Sequence, residues 1–213
     1  MSLKTSFAVI YVLLAAVCIP VQAQQPLDPA RRYLIIHSDD AGMSHSVNKA
    51  TIAAMEHGLV TSCSIMTACP WFPEFAAWAR QHPEMDFGIH LTLNSEFEKY
   101  RWGPVAGRDR VSSLVDADGW LHRRKEDVQK HARPADVETE LRAQIDRAIS
   151  AGIRLSHLDT HMGTVVSTGE MLEIYVRLGE VSSDRVRASL AAARDDVARN
   201  QRLVRHPQAV PAN

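Results

Sequence analysis

The chain has 213 residues and a formal net charge of −1, with 46% hydrophobic and 23% charged residues. That balance leaves no electrostatic footprint for nucleic acid or an anionic membrane as partner, so a small neutral or weakly polar substrate is expected. Once an export signal is set aside, the length suits one globular domain with an ordinary core.

Lys4 supplies a positive start, residues 7–17 are an unbroken apolar stretch, and Val21-Gln22-Ala23 is a small-residue cleavage signal. A membrane helix needs roughly 20 apolar residues, and this run stops at Pro20. Residues 1–23 are therefore expected to be a signal peptide. The mature protein is expected in the periplasm or outside the cell, with no stable membrane insertion. Cys63 and Cys69 then remain, and an extended chain between them would hold their Cα atoms too far apart for a disulfide. Two buried thiols are expected.

Residues 24–32 read as a linker, and the first strand is expected over residues 33–38. A helix follows over 46–57, with Val47, Ala50, Ala54 and Met55 on one face and Gly58 as its stop. Residues 62–67 suit a second strand, and 73–81 a second helix that opens on Pro73. In the third strand, 86–93, Phe87, Ile89, Leu91 and Leu93 face one way, while Gly88, His90 and Thr92 face the other. The apolar side suits a helix layer, and the polar side a barrel interior or a cleft.

Residues 94–134 show no long period. They read as an insertion carrying Tyr100, Trp102 and Trp120, with a small hairpin around Asp116-Ala117-Asp118-Gly119. A substrate-facing role is expected for the three aromatics, whose rings would stack on sugars; the alternative is that they pack on one another. A helix over 136–151 places Val137, Leu141, Ile145 and Ile149 on one face, and the fourth strand runs over 154–160. Strand–helix order of this kind implies a parallel, right-handed α/β fold. Residues 179–213 are rich in Arg and Ala, with one plausible helix and no further strand. Four strands make half a closed barrel.

Three strand ends carry the chemistry: Asp39-Asp40 after the first, His90 in the third, and His157, Asp159 and His161 at the fourth. In parallel α/β folds such ends converge on one face. One Asp and two His delivered there would form a metal site with open positions, able to polarise a carbonyl and activate water. Two adjacent buried carboxylates need a cation or a shared proton. One could ligate the metal while the other takes a proton from water; the plainer alternative is a helix N-terminus capped by Asp or Ser. His90 could equally be a hydrogen-bonded core residue, and a ligating His needs a partner on its other nitrogen. The remaining histidines read as surface or loop residues, with His37 singled out beside the Asp pair. The joint pattern is that of a metal-dependent hydrolase.

At these residues the chain resembles the YdjC/ChbG family of carbohydrate deacetylases. That family has a strand ending Ala-Asp-Asp-Phe-Gly, an Asn-bearing helix, a Gly-Ile-Val-Thr-Ser entry, a Gly-x-His-Leu-x-Leu strand and a Thr-His-Leu-Asp-Ser-His-His strand. The counterparts are Ser38-Asp39-Asp40-Ala41-Gly42, Asn48, Gly58-Leu59-Val60-Thr61-Ser62, Gly88-Ile89-His90-Leu91-Thr92-Leu93 and Ser156-His157-Leu158-Asp159-Thr160-His161. The resemblance covers about residues 33–178. It implies a distorted (β/α) barrel, Asp40, His90 and His161 as ligands of one divalent metal, Asp39 as catalytic base, and removal of acetyl groups from an N-acetylated sugar. Two imidazoles favour zinc, a carboxylate with water tolerates magnesium or manganese, and the family is described with magnesium. Ala41 stands where the family has Phe, and Met162-Gly163 where it has a second His, so the substrate pocket is expected to differ. Because the family's later strands have no counterpart in 179–213, the barrel is expected to be incomplete, with an open edge at the fourth strand, self-association and weak activity. The alternatives are a non-catalytic exported protein that binds sugar or metal, and a metallophosphoesterase.

Overall fold

The structure, a computed structural model, describes residue 30 and residues 32–182. The expected signal segment, most of the linker and the tail beyond Ser182 lie outside the described residues. Residues 35–182 form a mixed α/β body. Its strands β1 (His37–Ala41), β2 (Ser62–Ile65), β3 (Asp86–Leu91) and β4 (Leu155–Thr160) make one parallel sheet in the order β1-β2-β3-β4. Helices α1 (His45–His57) and α2 (Phe72–Ala79) occupy the first two crossovers. The third crossover holds the insertion, α3 (Lys125–His131) and α4 (Pro134–Ser150), and α5 (Gly169–Ser182) follows β4. This is a partial (β/α) barrel, with β1 and β4 as sheet edges among the described residues.

The first strand begins later than residue 33. Its ladder on β2 opens with His37 opposite Ser62, and Ile35 ahead of it is 73% exposed. The Asp pair consequently lies inside the strand rather than beyond it. In β3 the apolar side chains do face the helix layer: Phe87 meets Phe75 edge-on at 6.1 Å and Trp78 at 5.8 Å. On the opposite side Gly88 makes room for a neighbour, because a Cβ there would stand 2.1 Å from Nε2 of His157.

Two helix faces differ from expectation. In α1 the buried residues are the polar Asn48 and Thr51, while Ala50 is exposed. Ser44 caps this helix by accepting from the Val47 amide, and the Gly58 amide closes it on the Ala54 carbonyl. In α4 the buried face is Val137, Leu141, Ile145 and Ala148, and Ile149 is 47% exposed. A strict four-residue repeat overshoots the 3.6-residue turn, so the fourth member of that series has rotated off the core. The same helix also buries Glu140 and Gln144.

Those two polar residues organise the insertion. Glu140 accepts the Val105 and Ala106 amides, each at 2.9 Å, and the Gln144 side-chain amide at 2.7 Å. Gln144 in turn accepts from Thr92 N at 3.0 Å and donates to Thr92 O at 2.7 Å, standing in for a neighbouring peptide just past β3. Burial raises the Glu140 carboxyl above its ordinary range, against the hydrogen bonds that favour its charged form. The hairpin forms as expected, with Val115 bridged to Leu121. Trp102 is buried and donates from its indole to Asn94 O, so it does not face a substrate. Tyr100 hydrogen-bonds Met43 O, and Trp120 lies beneath Arg108. Cys63 and Cys69 are buried free thiols, as expected.

Leu141→Ala should lower unfolding free energy by about 2–5 kcal/mol, the range for an unfilled core cavity. Ile149→Ala should change it by less than about 0.5 kcal/mol, as for an uninvolved surface site. Urea denaturation of both variants checks this, and equal losses would mean that the α4 face is misplaced.

Candidate metal centre

Regular strand geometry would send the side chains of Asp39 and Asp40 to opposite faces. The β1 ladder breaks that alternation. Ser38 pairs with Cys63 and Ala41 with Ile65, so three steps on β1 meet two on β2. This is a bulge, a device that re-aims side chains at a sheet's rim. Asp40 sits in it with φ 64°, a left-handed backbone that Asp tolerates better than most residues. Gly42 follows at φ 93°, where an added Cβ would stand 3.0 Å from Met66 O. Asn48 locks the turn by accepting from Gly42 N at 2.7 Å and donating to Trp71 O and Glu74.

Asp40, His90 and His161 converge so that one ligand atom from each lies within 4.8 Å of the others. Asp40 Oδ1 stands 3.2 Å from His161 Nδ1 and 3.4 Å from His90 Nε2. It is buried, and no donor meets it at hydrogen-bond geometry. A buried carboxylate oxygen without a donor, facing two ring nitrogens, fits a cation.

The far nitrogen of each ring is held by a carboxylate. His90 Nδ1 lies 2.7 Å from Asp159 Oδ2, which also accepts from Ser64 Oγ at 2.8 Å. His161 Nε2 lies 3.0 Å from Glu96 Oε2. Such partners fix tautomer and ring orientation, leaving His90 Nε2 and His161 Nδ1 toward Asp40. Burial alone would push the His161 imidazolium down, but Asp40 and Glu96 outweigh it and raise its pKa to about 9. The His161 imidazole beside Asp40 holds that carboxyl below its ordinary value against the effect of burial. Burial likewise works against the Asp159 carboxylate, yet His90, Ser64 and the Thr160 amide hold it well below the usual range.

Asp39 joins a second group. Its Oδ1 lies 3.5 Å from His37 Nε2, which is 3.6 Å from Asp159 Oδ2, and the Asp39 side chain is 59% exposed. His37 is held by Ser62 at 3.0 Å and Ser64 at 3.1 Å. Asp159 therefore touches both groups. His157 points elsewhere, lying edge-on to His37 at 5.2 Å and 4.0 Å from Asp86; burial lowers its pKa.

Sequence reasoning missed Glu96 and Ser64. Glu96 stands in no periodic or motif position and Ser64 is one residue of the second strand, so the one available signal was chemical: an imidazole in a metal site needs an acceptor for its other N–H. Trp102, expected to face substrate, instead stacks edge-on beside His161 at 6.1 Å.

The chain is similar to known proteins in sequence and in fold. Carbohydrate deacetylase of Brevibacillus brevis is 38% identical over 128 residues, covering 60% of this chain and 48% of that one. The carbohydrate deacetylase of Thermus thermophilus is 37% identical over 150 residues, covering 70% and 51%. The chain thus spans about half the length of the curated relatives it matches. A crystal structure from Enterococcus faecalis, described as a cellobiose-phosphate cleavage protein, superposes with a TM-score of 0.65 at 27% identity, covering 76% of this chain and 64% of that one. The YdjC-like protein profile matches residues 33–211, further than the expected span of 33–178, and the chain belongs to that family.

Proposed function

We propose that this protein is a metal-dependent hydrolase that removes acetyl groups from N-acetylated carbohydrates. The observation that carries the reading is the donor-free Asp40 oxygen facing His90 and His161, with a second carboxylate, Asp39, on the same bulge. The name carbohydrate deacetylase on its relatives supports the substrate class.

Asp40, His90 and His161 would hold a divalent cation, which would supply the positive charge to polarise an acetyl carbonyl and make a water more acidic. Zinc suits the imidazole pair, and magnesium or manganese suits the carboxylate. Asp39, more exposed than Asp40 and beside His37, accepts the proton of the attacking water. His37, fixed by Ser62 and Ser64, limits where that carboxylate can swing. As the water oxygen bonds to the acetyl carbon and the carbon–nitrogen bond breaks, Asp39 returns its proton to the departing amine. The products are acetate and a free amino sugar. Asp159 and Glu96 keep the two imidazoles from rotating during the cycle.

The test is acetate release from chitin oligosaccharides, abolished by a chelator and restored by returning the metal. Turnover of a phosphoester without acetate release would favour a metallophosphoesterase, and sugar binding without any turnover would favour a binding protein.

Within the site the residues should fail differently. His90→Ala and His161→Ala should each lose bound metal on elemental analysis, since three protein ligands leave little reserve. Asp39→Asn should keep its metal and lose turnover by about 10²–10⁴-fold. Glu96→Gln should weaken metal affinity by roughly 10–100-fold, the usual effect of removing such a backing group. Full metal content in both His variants would refute the ligand set.

Export through residues 1–23 belongs to the same reading, on the apolar run and the Val21-Gln22-Ala23 signal. N-terminal sequencing of protein recovered from the periplasm or medium should begin at Gln24; a start at Met1 would exclude cleavage.

A further inference from the structure

A second group of metal-ligating side chains borders the centre. His37, Asp39 and Asp159 each offer one ligand atom, all within 4.8 Å of one another. Asp39 Oδ1 and Asp159 Oδ2 stand 3.5 and 3.6 Å from His37 Nε2. Those contacts are long for N–H···O hydrogen bonds, which run at about 2.7–3.2 Å. They match the spacing of ligands around an ion: zinc lies about 2.0–2.2 Å from nitrogen and oxygen, which sets tetrahedral ligands about 3.3–3.6 Å apart.

The surroundings suit His37 Nε2 to ligation. Ser62 Oγ lies 3.0 Å from His37 Nδ1 and can take its proton, which is the partner a ligating imidazole needs on its other nitrogen. In that tautomer Nε2 carries a lone pair. Ser64 Oγ, 3.1 Å from Nε2, donates to Asp159 Oδ2 at 2.8 Å. One nitrogen and two carboxylate oxygens then converge with no proton between them, and a cation completes such a set. The group also has an entrance. The Asp39 side chain is 59% exposed, and His37 and Asp159 border a cavity of about 410 Å³ with room for water at the remaining positions. This group is the weaker of the two. It has a single imidazole, and its Asp159 oxygen is already shared with His90 at 2.7 Å and with Ser64.

We propose that His37, Asp39 and Asp159 form a second, weaker divalent-cation site, and that an ion bound there withdraws Asp39 from its role as base. Excess metal then inhibits the protein that the first ion activates. The site stands on this geometry alone. Its inhibitory effect rests on the deacetylase reading, in which Asp39 needs a free lone pair to accept the proton of the attacking water. Asp159 belongs to both arrangements, backing His90 at the first centre and ligating at the second.

The test is equilibrium dialysis of the full chain against rising zinc, read by elemental analysis. Two ions should bind per chain, in separate steps. His37→Ala and Asp39→Asn should each weaken the second step by at least ~10-fold and leave the first in place, since loss of even a backing group costs roughly 10–100-fold. Thermal unfolding confirms that both variants are folded. A single ion per chain at saturating zinc, or a second ion that binds undiminished in either variant, overturns the proposal. Acetate release followed over the same zinc range should rise with the first ion. It should then fall by at least ~10²-fold with the second, the lower end for a missing base. His37→Ala, scaled to its own maximum, should lose that fall. Release that continues undiminished with two ions bound refutes the inhibitory role. Release with only one ion ever bound refutes the second site and leaves the deacetylase reading standing. Two ions with no release at any zinc concentration refutes that reading and the inhibitory role with it, while the site stands.

Discussion

Oδ1 of Asp40 lies buried between two imidazole nitrogens, 3.2 Å from His161 and 3.4 Å from His90, and the neighbouring structure is arranged around that contact. A bare carboxylate in a low-dielectric interior is costly unless something positive compensates it. The bulge in β1 and the left-handed Asp40 are what bring the oxygen there, at a backbone cost of about 1–2 kcal/mol for a non-glycine residue. Gly42 and Asn48 hold the turn that follows, and Asp159 and Glu96 grip the rings from behind. Each of these residues would be an oddity alone. Together they hold the Asp40 oxygen and the two imidazole nitrogens within 4.8 Å of one another, the kind of preorganised geometry that a site with few protein ligands requires.

The elements bearing chemistry were legible because strand ends are marked twice, by an apolar run and by the polar residue that stops it. His161 stands just past such an end, while the Asp pair lies inside β1 and His90 inside β3 close to their C-terminal ends, and the structure brings Asp40, His90 and His161 together. What was illegible depends on contacts distant in sequence. The α1 face was misread because Asn48 and Thr51 are buried for their hydrogen bonds, to the Gly42 turn and to Ser38, rather than for apolar area. Trp102 was misread because aromatic composition alone cannot say whether a ring covers substrate or packs beside another side chain, here His161. The start of β1 was misread because an apolar run states that a strand is possible, while its neighbour's register decides where pairing begins.

Asp159 and the bulge also explain why two carboxylates adjacent in sequence can differ so much in surroundings. Asp40 is drawn inward to the imidazoles, and Asp39 is left half in solvent against His37. Adjacent like charges are thereby separated by geometry rather than by a shared proton. Asp159 stands between them, its own charge held by Ser64 and His90. Removing that carboxylate would loosen both groups at once, so the two cannot be treated as independent positions in a mutational series.

Glu140 holds the insertion through the main-chain amides of Val105 and Ala106 and touches neither side chain for that purpose. Gln144 treats Thr92 in the same way. A grip on peptide groups is blind to side-chain identity. Substitutions at 105 and 106 that keep the amides leave the anchor intact, so this stretch of the insertion is free to drift in sequence over evolutionary time. A proline there would be different, since it removes the donor that the anchor requires. The same fold can in this way try new loop sequences above a fixed centre, with change permitted in the side chains and forbidden in the backbone.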